Sequence, residues 1–160
     1  MRTPRPVRNP LMVMQGKQPL GAAMADVCIF PLAAHLFEAA EGRCGGMSIR
    51  QLTVYMSAAR DAGLYYRDKL LVDACDKAGD LWIGAGYRCQ DHDIHDRVVL
   101  DSATLLAMRD LLWALYTRLP AMERAVWTAC MVQAAQRWDR YAAASPAFAQ
   151  AAKDLRPGAR

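Results

Sequence analysis

Apolar positions recur three and four residues apart along most of this chain, the spacing that lines one face of an α-helix, and almost nowhere alternate as they do in a strand. From Leu20 to Glu41 the series Met24, Val27, Cys28, Leu32, His35, Leu36 predicts a first helix, kinked where Pro31 removes a backbone donor. The run Gly42-Arg43-Cys44-Gly45-Gly46 ends it, because glycine accepts the left-handed backbone a helix terminus needs. Ser48 and Gln51 fit a capping box that opens a second helix, with Leu52, Tyr55, Met56 and Ala59 inward and Gly63 as its stop.

A third helix is predicted from Tyr66 to about Leu81, with Gly84 and Gly86 weakening any continuation. Residues 87–100 read as the least regular stretch of the body, a loop or, over Arg97–Leu100, a short extended piece. Asp101 is a suitable N-cap for a fourth helix, whose many leucines place it at the bundle centre. Pro120 suits the first turn of a fifth helix running to about Ala144, and Ser145-Pro146 announces a short final one ending near Leu155. The first 19 residues, with prolines at 4, 6, 10 and 19, form an extended basic arm instead. The expected fold is therefore all-α: a single-domain helical bundle of five to six helices over residues 20–156, an N-terminal arm at 1–19 and a tail at 157–160.

The length of 160 residues suits one domain with its own core. No uninterrupted apolar run reaches the ~18 residues of a membrane span, the longest, from Val27 to Phe37, being broken by Pro31 and His35. No membrane partner and a cytoplasmic location are expected. The five cysteines lack any C-x-x-C pair, so they predict neither a disulfide framework nor a zinc ribbon, and Cys28 and Cys130 read as small buried hydrophobes. The net charge is +4, but the arm and tail carry it; the body between them is mildly acidic. Attraction to nucleic acid would thus come from Arg2, Arg5 and Arg8 and the basic tail, since no helix has the clustered basic residues of a recognition helix.

Candidate chemistry is sparse. Cys89, His92 and His95 are spaced three apart and offer thiolate and imidazole to a metal, with Asp96 or Cys75 as a fourth ligand; against this, no second pair with ligand spacing exists. No cofactor is implied, because no glycine-rich phosphate loop and no nucleophile, base and orienting group stand out. The carboxylates of Asp73, Asp76 and Asp80 read as a solvated helix face, and His35 as a core or rim histidine. Tyr65, Tyr66 and Arg67 combine the side chains enriched in protein interfaces. Of the four tryptophans, Trp82, Trp113 and Trp138 read as core and Trp127 as the exception.

The stretch Arg2-Thr3-Pro4-Arg5-Pro6-Val7-Arg8-Asn9-Pro10, followed by Met14-x-Gly16 and Pro19-Leu20, resembles the opening of small uncharacterised proteins encoded by phages and prophages of GC-rich bacteria. The resemblance implies a non-enzymatic interaction protein that binds and modulates a host protein, with inhibition of a bacterial defence such as a CRISPR complex as its most concrete form. The alternatives are a nucleic-acid-associated regulator and a metal-binding protein or enzyme at Cys89, His92 and His95. The oligomeric state is left open.

Overall fold

A computed structural model describes residues 16–92 and 97–144, among which there is no strand and the architecture is an all-α bundle. Five helices follow one another: α1 (Ala22–Ala40), α2 (Gly46–Tyr66), α3 (Lys69–Asp91), α4 (Ser102–Arg118) and α5 (Arg124–Ala144), with a 3₁₀ turn at Leu119–Ala121. Residues 1–15 of the arm, the segment 93–96 and the final helix expected after Ser145 lie outside the described residues.

The α1–α2 junction follows from glycine. Gly42 adopts φ 74°, and the amides of Gly42 and Arg43 bond back to the carbonyls of Ala39 and Glu38, closing a Schellman motif. Ser48 does not cap α2: the helix begins two residues earlier, after Gly45, without a side-chain cap. Its hydroxyl instead donates to Glu38 at the end of α1, 2.6 Å away. Gly63 does not stop α2 either. The stop is Arg67 at φ 55°, where the amides of Arg67 and Asp68 bond to Leu64 and Gly63. Gly63 lies inside the helix at its crossing with α3, where a Cβ would stand 2.9 Å from the Val72 side chain.

Asp68 accepts the amide of Leu71 at 3.0 Å and so starts α3, later than expected from Tyr66. This helix runs ten residues past Leu81, through both glycines. Ala78, Trp82, Ala85 and Cys89 are all buried at helical spacing, and that burial outweighs the ~1 kcal/mol that each glycine costs a helix. Asp101 caps α4 as expected, accepting from the amide and hydroxyl of Thr104. Pro120 lies in the 3₁₀ turn, and α5 begins four residues beyond it.

The centre of the bundle is α2, not α4. α2 packs against α1, α3 and α5, whereas α4 packs against α3 and α1. Small residues explain the exchange: Ala58, Ala59, Ala62 and Gly63 are buried and let three neighbours approach closely, while α4 leaves Leu106, Trp113 and Tyr116 outward. The tryptophans are reassigned too, Trp127 being buried beside Tyr55 and Trp113 exposed. Two polar contacts inside the bundle are met by partners, Trp82 Nε1 donating to Thr53 and the Tyr55 hydroxyl to the Cys28 carbonyl. The chain around Pro19 is stitched to the turn before α5 by the amides of Leu20, Gly21 and Arg124, and Val98 pairs with Cys44.

Candidate interaction surfaces

Four large side chains, Leu64, Tyr65, Tyr66 and Leu70, are exposed around the α2–α3 turn at one end of the bundle. The frame beneath them is fixed. The Tyr66 hydroxyl accepts the Glu123 amide at 2.7 Å, and Asp68 is ion-paired with Arg118 of α4. Tyr65 packs edge-on against Tyr66, ring centroids 5.0 Å apart at 82°. Tyr65 and Tyr66 therefore close α2; they do not open α3 as the sequence suggested. Arg67 turns the chain between them and Leu70, so aromatic, aliphatic and guanidinium groups share one preorganised corner. Arg2, Arg5 and Arg8 lie outside the described residues.

A second apolar surface lies along α1 and α4. Ala25, Leu32 and Ala39 form the buried side of α1, and Val27, Phe30 and Phe37 stand on the opposite side in the open. Beside them Ile29, Ala33, Leu112, Trp113 and Tyr116 line an open depression of about 460 Å³, with Arg109 and Asp110, ion-paired at 2.8 Å, also in its lining. The run from Val27 to Phe37 that seemed interrupted by Pro31 and His35 belongs to one continuous 19-residue helix with a mean hydropathy of 1.4, apolar and long enough to cross a membrane by those measures. In the bundle it is packed on α2 and α4.

Among the described residues no group of three or more His, Cys, Asp or Glu side chains could hold a metal. Cys89 is buried with its sulfur accepting the Val99 amide at 3.2 Å, and His92 is exposed just past the end of α3. His95 and Asp96 are outside the described residues. Cys75 cannot complete that set. It lies on the same helix as Cys89, fourteen residues and so ~21 Å away. Burial pushes the Cys75 thiol up to about 12, and burial, then the Glu38 carboxylate and Cys89, does the same to Cys44. Both stay protonated near neutrality and are poor nucleophiles or ligands. Cys130 is buried and Cys28 half-buried, each with its thiol raised by burial.

His35, Glu38 and Ser48 form a polar cluster that the sequence did not announce, since they join the end of α1 to the start of α2. His35 Nδ1 lies 3.1 Å from both Glu38 Oε2 and Ser48 Oγ. An activated serine would give its proton to the imidazole, and the imidazole's second nitrogen would be oriented by the acid. Here the buried serine donates its hydrogen bond to the Glu38 carboxylate, and one imidazole nitrogen faces both partners. The hydroxyl bond, then the imidazole, lowers the Glu38 pKa. The cluster is a tether between two helices.

Arginines of the body are drawn to carboxylates of the same chain: Arg50 to Asp139, Arg60 to Asp76, Arg88 to Asp101 and Arg137 to Asp61. Asp73 pairs with Lys69. These pairs consume charge that a phosphate backbone would need. Comparison with family models, curated proteins and solved structures finds no match to this chain.

Proposed function

We propose that this chain is a non-enzymatic interaction protein of phage or prophage type, which binds a host protein in the bacterial cytoplasm and modulates it, inhibition of a defence complex being the most specific form. The observation that carries the reading is the bundle-end corner. Leu64, Tyr65 and Leu70 are exposed, although burying each would be worth ~1.5–3 kcal/mol, and Arg67 holds a left-handed backbone that a glycine would adopt more easily. Tyrosine and arginine dominate the few residues that carry binding energy at interfaces. A rigid frame reduces the entropy lost when they are engaged.

Affinity capture from host lysate tests this when wild type is run beside a Tyr65→Ala/Leu70→Glu variant. The expected result is one protein retained in near-stoichiometric amount by wild type and lost from the variant. Equal retention by both, or none by either, sinks the reading. The arm and tail are where a nucleic-acid contact would have to form, and the ion-paired body adds no support to it.

A further inference from the structure

We propose that the α1–α4 face is a homodimer interface, on which a second copy of this chain packs about a two-fold axis. It uses residues other than those of the bundle-end corner and stands independently of host-protein binding.

Size is the first reason. Phe30, Phe37 and Trp113 are 72%, 63% and 67% exposed. At about 150–250 Å² for a fully presented aromatic they offer roughly 400 Å² between them, and Val27, Leu106 and Tyr116 are exposed on the same two helices. The three aromatics alone reach the ~300–600 Å² of the largest, often functional, apolar patch on a monomer, and the further exposed side chains extend it toward the ~800 Å² per partner of a stable interface.

Shape identifies the partner. A two-fold interface must be complementary to itself, so that residue i meets j and j meets i. This face carries both halves of such a contact: Phe30 projects from it, and the 460 Å³ depression lined by Ala33, Leu112 and Trp113 lies beside it. Each copy's Phe30 would seat in the other's depression. Val27, Phe30, Ala34 and Phe37 are spaced 3-4-3 and so share one stripe of α1, which lies next to the depression. Arg109 and Asp110 neutralise one another, so this pair adds no net charge to the face, and the exposed Asp26 of α1 is hydrogen-bonded to Tyr116 of α4.

Charge argues against lipid as the occupant. An interfacial helix needs lysine and arginine flanking its apolar face, whereas α1 contains neither and carries Asp26 and Glu38.

Sedimentation equilibrium of the full chain at about 1–100 µM, where interfaces of this size associate, reads the outcome directly. The expected mass is twice 17.7 kDa, falling to the single-chain mass in both Phe30→Glu and Trp113→Glu with unchanged helical circular dichroism. The two variants lie on different helices, so a folding defect in one leaves the other informative. A single-chain mass throughout the range, or a dimer that survives both substitutions, overturns the proposal. So does flotation of wild type with vesicles of phosphatidylcholine and phosphatidylglycerol that Phe30→Glu abolishes without any dimer in their absence.

Discussion

Arg67 sits where the backbone turns left-handed, a conformation that crowds any Cβ. Arg67→Gly should raise stability by about 0.5–1 kcal/mol in denaturant unfolding while weakening partner capture, a combination that a purely structural arginine would not give. Four residues earlier the sign reverses. Gly63→Ala would put a methyl 2.9 Å from the β-branched Val72 and 3.4 Å from its backbone nitrogen. We expect a loss of about 1–2 kcal/mol despite alanine's better helix propensity, and a gain would contradict the close packing of α2 on α3. These neighbours also show where reading the sequence falls short. A glycine that ends a helix and one that admits a second helix both lack a Cβ, and only the tertiary crossing separates them. Ser48 has the spacing of a cap, but its hydroxyl donates to the Glu38 carboxylate ten residues earlier, a contact between two helices that a local pattern does not place.

At the level of elements, boundaries set by local chemistry were legible and those set by burial were not. Gly42 and Asp101 act within their own turns, so their roles followed from the residues alone. The continuation of α3 depends on what lies against Ala85 and Cys89, which no local rule supplies. Gly86 is then a helix-interior glycine with open space where a Cβ would stand, and Gly86→Ala should stabilise by about 0.5–1 kcal/mol in thermal or denaturant unfolding. No change or a loss would indicate that α3 ends sooner. The caps also predict a pH dependence. Hydrogen bonds from the Thr104 hydroxyl and amide hold Asp101 below its ordinary 3.8; burial pushes Asp68 up, but Arg118 and the Leu71 amide outweigh it and hold it low. A carboxyl with a lowered folded pKa binds its proton more readily in the unfolded chain. Its stabilisation is therefore complete above the ordinary value and is lost as pH falls through the folded one. The unfolding midpoint should drop progressively below about pH 5, and a Asp68→Asn/Asp101→Asn variant should flatten that profile. An unaltered slope would assign the acid sensitivity elsewhere.

On the scale of the molecule, the chain builds its core around a central helix of small residues and spends its larger apolar side chains unevenly. The helical class was readable because 3.6-residue periodicity runs through nearly every segment. Which helix lay at the centre was not, because an apolar stripe looks the same whether it is covered or, as at Leu106 and Trp113, exposed among the described residues. The candidate corner was partly legible in Tyr65, Tyr66 and Arg67, while Leu64 and Leu70 joined it only once the α2–α3 turn brought them together. Binding at that corner is the central claim. Amide hydrogen exchange, measured on the chain alone and in complex with the protein it captures, tests it most directly. The account predicts added protection concentrated in peptides covering Leu64 to Leu70. Unchanged exchange there, with protection arising elsewhere or nowhere, would contradict it.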